Sequence, residues 1–283
     1  MTITTSSTTS ADGTTIAYDR VGDGMAVILV GGAFQHRAFD PRTGHLADLL
    51  GERFTVYHYD RRGRGGSSDT PPYAVAREVE DIAAIIAVAG GAAALFGMSS
   101  GAPLALDAVA AGLDVPCVAV YEAPFLVDRS RSVGPDYEQR LDALLADGDR
   151  DRATSLFLTE AAGVPAEIVA GMHAAPMWPG FEEVAHTLAY DARIMRGTLD
   201  GGPLPADRWA AVRIPVFVAD GGASPTTMRT AADALAALLP DTRRVTLANQ
   251  DHAVEPEVIA PLLAEFYAGT FAARTASTSA DQR

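Results

Sequence analysis

Short apolar runs alternate along the chain with longer stretches whose apolar positions recur at helical spacing. The runs 27–30, 54–59, 92–96 and 117–121 are apolar throughout or nearly so, which predicts buried strands. Residues 14–20 read as a further strand. The Asp12-Gly13 turn signal before it predicts that the chain opens with a hairpin. Residues 78–88 carry Val79, Ile82, Ile85 and Ile86 at helical spacing, and 103–110 form a second, small-residue helix. Strand rhythm returns at 216–219 and 244–247, with helices predicted at 228–239 and 256–271. Between them, helical patterns at 137–145, 152–160, 165–172 and 182–194 follow one another with no convincing strand.

Strands alternating with helices predict an α/β fold, a mostly parallel sheet with helices on both faces. The strandless segment predicts a helical lid inserted after the strand that ends at Tyr121, over the strand ends where ligands bind. The expected division is a core at 1–124 and 208–271, a lid at 125–207 and a flexible, small and polar tail at 272–283.

Length, charge and cysteine content narrow the function classes. A chain of 283 residues with 48% apolar content can bury a full core. The formal charge is −14 and every basic residue is arginine, which argues against nucleic acid and anionic membranes as partners. Cys117 is the only cysteine, so no internal disulfide forms, and its apolar run predicts a buried structural thiol. Residues 1–10 lack a basic patch followed by an apolar stretch, and no run approaches bilayer length. The expectation is a soluble cytoplasmic protein acting on a small molecule. The six histidines are scattered and no His/Cys/Asp/Glu cluster has ligand spacing, so neither metal nor cofactor is expected. The arginines at 61–64 match neither a dinucleotide fingerprint nor a P-loop.

The chemistry-bearing feature is Gly97-Met98-Ser99-Ser100-Gly101, between an apolar strand and a predicted helix. Strand, Gly-x-Ser-x-Gly and helix describe a nucleophile elbow. A Cβ two residues either side of the serine would strike the crossing backbone, so glycine is needed at 97 and 101. The turn presents the Ser99 hydroxyl at the sheet end and aims the Ser100 N–H at the reacting centre.

Four motifs in order resemble the α/β-hydrolase family over nearly the whole chain. They are Gly31-Gly32, the segment from Asp60 to Ser67 (Asp-Arg-Arg-Gly-Arg-Gly-Gly-Ser), the elbow, and His252 after the last strand. The resemblance implies Ser99 as nucleophile, His252 as general base and the Ala33 N–H, with Phe34 as second choice, beside Ser100 in an oxyanion hole. The family usually takes its acid after the seventh strand, where this chain has Ser224, with Asp220 earlier at the strand end. The alternative is Glu122, closing the sixth strand 23 residues after Ser99, as in a branch that includes some haloalkane dehalogenases and lipases. A carboxylate ending an apolar strand is costly to bury unpaired, which favours Glu122 and keeps Asp220 as second choice. Phe34, His36, Met98, Met172, Met177, Trp178, His186 and Tyr190 are expected to form an adaptable apolar substrate pocket. The resemblance implies a serine hydrolase cleaving ester or related acyl bonds, and the apolar lid residues with few basic groups near the motifs point to small, neutral, largely apolar substrates. Carbon–carbon hydrolysis, lyase or cyclising chemistry in the same pocket, and a low-turnover binding protein, stand as alternatives.

Overall fold

The computed structural model describes residues 2–281. One sheet contains β1 (Thr4–Thr9), β2 (Thr15–Val21), β3 (Ala26–Val30), β4 (Thr55–Tyr59), β5 (Ala94–Met98), β6 (Val118–Tyr121), β7 (Val216–Gly221) and β8 (Thr242–Leu247). Their spatial order is β1-β2-β4-β3-β5-β6-β7-β8. The β1–β2 and β2–β4 pairs are antiparallel and all others parallel. The opening hairpin is present, and the fold is the expected α/β class.

Helices α1 (Pro41–Gly51), α2 (Val75–Val88) and α3 (Gly101–Ala110) follow β3, β4 and β5. Helices α4 (Tyr137–Ala146), α5 (Arg150–Leu156), α6 (Ala166–Met172), α7 (Trp178–Val184) and α8 (Leu188–Ile194) fill the stretch between β6 and β7. Helices α9 (Thr226–Leu238) and α10 (Pro256–Asp281) complete the chain.

The period-two side-chain alternation of buried strands builds a core on each face of the sheet. Ile28 and Val30 of β3 pack with Ile82 of α2, Leu104 of α3 and Leu235 of α9. Val27 and Leu29 face the other way, onto Leu46 and Leu50 of α1 and Ile259 and Leu263 of α10. A third core lies within α4–α8, where Leu141, Trp178, Phe181 and Leu188 pack with Phe34 from the loop after β3. After β3 the chain moves to β4 on one side, then to β5 on the other. The connections leaving β3 and β5 therefore diverge and open a crevice at the carboxyl ends of the parallel strands.

Several elements differ from the sequence expectation. Helix α1 was not anticipated, although Asp40-Pro41 marks its start: the Asp40 carboxylate accepts the Thr43 N–H at 3.1 Å. The helix expected at 152–160 stops at Leu156 and becomes a π turn over Phe157–Ala161. The one expected at 182–194 is two helices joined by a 3₁₀ turn over Ala185–Thr187. There the Thr187 hydroxyl donates to Val184 O (2.8 Å) and accepts Arg64 Nε (2.9 Å), so a tertiary bond replaces helix continuation. The expected flexible tail at 272–283 is instead helical as far as Asp281. Ala272, Ala273 and Arg274 are good helix formers, so the helix has no reason to stop at Phe271. Residues 282–283 lie outside the described residues. Among the described residues, no helix is long and apolar enough to cross a membrane.

Candidate active site

The loops after β3, β5, β6 and β8 converge at the crevice. Ser99 follows β5 with φ at +53°, a left-handed conformation rare for serine. Its N–H donates to Tyr121 O (3.0 Å) and its carbonyl accepts Ala102 N–H (3.0 Å), fixing the turn from both sides. The flanking glycines are obligatory. A Cβ on Gly97 would lie 2.6 Å from Gly101 O, and one on Gly101 would lie 2.2 Å from Val30 O.

Glu122 follows β6, also at positive φ (+46°), with its N–H donating to Ala219 O at 3.0 Å. That conformation turns its side chain back across the end of β7. Its Oε1 accepts the Gly221 N–H (2.8 Å) and its Oε2 meets His252 Nδ1 (2.8 Å). The carboxylate is fully buried. An ionised carboxylate only accepts, so this contact puts the proton on Nδ1 and leaves Nε2 with its lone pair. The histidine loop is pinned in turn: Tyr121 Oη donates to Asp251 O (2.5 Å) and Ala223 N–H to Gln250 O (2.8 Å).

Asp220 does not reach this histidine. Its buried carboxylate accepts Arg244 Nη1 (2.6 Å) and the Thr246 hydroxyl (2.7 Å), both from β8. Ser224 has a buried hydroxyl without a hydrogen-bond partner among the described residues.

The glycine pair after β3 lies against the elbow, and a Cβ on Gly32 would come within 2.7 Å of Ser99 Cβ. Phe34 takes a positive φ (+63°). Gln35 folds back so that its Oε1 accepts the Gly32 N–H (2.5 Å) while its Nε2 donates to Asp40 (2.5 Å). Among the described residues, the N–H groups of Ala33 and Ser100 have no protein acceptor.

A cavity of about 330 Å³ brings Ser99, His252 and Ala33 together. Phe34, Met98 and Met177 line it, as the sequence suggests, with Phe39, Leu46, Phe96, Phe181, Val254 and Ile259 completing an apolar wall. Its polar groups are largely paired with one another, since Asp40 also accepts the Thr43 hydroxyl (2.5 Å).

Five expected lining residues lie elsewhere. His36 is buried behind the loop, stacked on Phe39 with ring centroids 5.6 Å apart. Trp178 sits in the third core and donates to Asp151 (3.0 Å), and Met172 packs against the same core. His186 packs onto the Gly63 turn. Tyr190 stacks on Tyr73 with centroids 3.8 Å apart, its hydroxyl donating to Asp69. Composition marked these side chains as apolar or aromatic but could not say which surface each would cover. Phe39, Phe181 and Ile259, which do line the cavity, were missed for the same reason. Phe39 alone carried a local signal, its place just before the α1 cap.

Cys117 is buried and its thiol is pushed up to about 12 by desolvation, which leaves it without nucleophilic character. Among the described residues, no group of three or more His, Cys, Asp or Glu side chains is placed to hold a metal ion.

A family model described as the alpha/beta hydrolase family matches residues 26–262. The chain is 54% identical to an alpha/beta hydrolase from Sphaerobacter thermophilus, over 93% of this chain and 100% of that one, with a TM-score of 0.85. An esterase from Rhodococcus sp. ECU1013 shares the fold at 19% identity (93% of this chain, 98% of that one, TM-score 0.64). An esterase from Exiguobacterium antarcticum does so at 18% identity (93% and 99%, TM-score 0.66). No curated protein matches the chain.

Proposed function

This chain belongs to the alpha/beta hydrolase family and is a hydrolase, and we propose that it cleaves ester or related acyl bonds of small, neutral, largely apolar substrates through Ser99, His252 and Glu122. The observation that carries this reading is the 2.8 Å contact between His252 Nδ1 and the buried Glu122 carboxylate, on a ring that shares a cavity with Ser99.

His252 Nε2 takes the Ser99 hydroxyl proton as Oγ attacks the substrate carbonyl. Negative charge develops on the former carbonyl oxygen and is met by the Ala33 and Ser100 N–H groups. Collapse of the tetrahedral intermediate expels the alcohol, which takes the proton from His252 and leaves an acyl-serine. Water, deprotonated by the same imidazole, then releases the acid and restores Ser99. Glu122 holds the imidazole in the required tautomer and stabilises its charged form.

The wall of Phe34, Phe39, Phe96, Met98 and Phe181 favours an apolar acyl or alcohol group, and Arg42, which also lines the cavity, is paired with Glu255 and Ala253 O rather than held free for an anion. Two proteins of the same fold are esterases, which accords with this reading. The helical insertion between β6 and β7 contributes Met177 and Phe181 to the wall, which supports its role as a lid.

Short-chain p-nitrophenyl esters test the proposal. The expected result is a stoichiometric burst followed by steady turnover, with Ser99→Ala lowering kcat by about 10³-fold or more. Turnover that survives in Ser99→Ala would instead mean chemistry without an acyl-enzyme.

A further inference from the structure

Arg64 is fully buried, stands between Gly63 and Gly65 in the turn after β4, and plays no part in the chemistry above. Its Nη1 donates to Gly32 O (2.5 Å) and, at longer range, to Gln35 O (3.4 Å). Its Nη2 donates to Asp191 Oδ2 (2.6 Å), and its Nε to Thr187 (2.9 Å). Asp191, on α8, is equally buried. Its Oδ1 accepts Arg61 Nη1 (2.7 Å) and the Ser100 hydroxyl (2.6 Å). Arg61 also reaches Gly31 O (3.3 Å) and binds Glu78 through Nε and Nη2 (2.6 and 2.7 Å). Two guanidinium and two carboxylate charges thus cancel inside the protein. Burial alone would raise Asp191, yet Arg61 and Arg64 hold it below the usual carboxylate range.

The peptide plane connects this cluster to the cavity. In a planar trans peptide the carbonyl of one residue and the N–H of the next point in opposite directions. Arg64 holds the Gly32 carbonyl, so the Ala33 N–H on the same plane points away from the guanidinium, and Ala33 lines the cavity. Asp191 meanwhile grips the side chain of Ser100, the other residue whose N–H is unclaimed among the described residues.

We propose that Arg64, anchored by Asp191 of the helical insertion, is the positioning residue that sets the Gly32–Ala33 peptide plane and so holds the two oxyanion donors in register. This rests on the acyl-transfer reading above. It also ties the insertion to catalysis, since displacing α8 would withdraw Asp191 from Arg64 and Ser100 together.

The test compares wild type, Arg64→Lys and Arg64→Gln with a p-nitrophenyl ester, a boronic acid that forms a tetrahedral adduct on Ser99, and thermal melting. Lysine keeps the charge beside Asp191, but one ammonium cannot span Asp191, Thr187 and Gly32 at once. Arg64→Lys is expected to lower kcat about 100-fold with KM within about twofold, and to weaken boronate binding by the factor lost in kcat. A folded Arg64→Lys with wild-type kcat and boronate affinity overturns the proposal, as does one in which only KM and melting temperature change. Wild type gives a test that needs no variant: boronate must move the Ala33 amide proton downfield in the NMR spectrum. An unmoved Ala33 resonance beside a shifted Ser100 resonance overturns the proposal even if neither variant folds. A wild-type protein that takes no boronate removes the acyl reading itself, and with it this one.

Discussion

Glu122 and Asp220 are both buried carboxylates at strand ends, and their partners separate them. Asp220 is neutralised by Arg244, whereas Glu122 meets the Gly221 N–H and the imidazole of His252. Glu122→Gln keeps the shape but cannot balance an imidazolium, and its amide can present an N–H to Nδ1, favouring the wrong tautomer. Its kcat is expected to fall about 10³- to 10⁴-fold. Asp220→Asn is expected to keep kcat while lowering the melting temperature, because it removes the buried charge facing Arg244 Nη1 and leaves that arginine only the exposed Asp233 as a close charged partner. Steady-state kinetics and melting curves on the two variants check this, and the opposite pattern would move the acid to Asp220. At this scale the placement of two side chains was legible, the Glu122 carboxylate against His252 and Ser99 on its turn. The anomaly of an acid closing an apolar strand singled out Glu122, and the glycine spacing singled out Ser99. The pocket wall was less legible. Trp178 and Phe181 lie on one short helix with similar apolar character, yet only Phe181 turns to the cavity, an outcome of tertiary packing.

Elements whose periodicity matched their burial were readable, above all β3, β5 and β6 and the helices α2, α3, α9 and α10. Where local pattern and tertiary contact competed, contact won, as at Thr187, whose bond to Arg64 accompanies the break between α7 and α8. Helix α1 escaped notice because Gly44 and His45 interrupt its apolar spacing, although Leu46 and Leu50 anchor it against α10. The elbow tolerates little change. Gly101 opens α3 directly beneath Val30 of β3, and Gly101→Ala would drive its methyl into that carbonyl. The expected loss is about 3 kcal/mol or more, read as a lower urea midpoint, because both strand and helix are packed on their far sides. A midpoint equal to wild type would show that the two backbones can part.

Across the whole molecule, stability is linked to pH through imidazoles that folding keeps neutral. His36, His58 and His186 all lie below their ordinary value of 6.5, burial being the largest cause in each and outweighing the attraction of nearby carboxylates. Below that value the unfolded chain takes up protons that the native state resists, so stability is complete above it and lost as pH falls through the folded values. Melting temperature is therefore expected to drop between about pH 7 and 5, less steeply in His58→Gln, and a flat profile would contradict the linkage. The half-buried Asp12, held low by Arg62 and Thr14 against the opposing effect of burial, and the buried Asp191, held low by Arg61 and Arg64 against the same effect, extend the decline into the acid range. The reaction proposed for this site is attack on acyl and acyl-like centres by the Ser99 hydroxyl, with help from His252 and Glu122. Its most direct measurement is mass spectrometry of the intact protein after a fluorophosphonate, followed by peptide mapping. A single adduct on Ser99 is predicted, formed far more slowly in His252→Ala and Glu122→Gln than in wild type. An unlabelled protein, or an adduct on another residue that survives in Ser99→Ala, would contradict it.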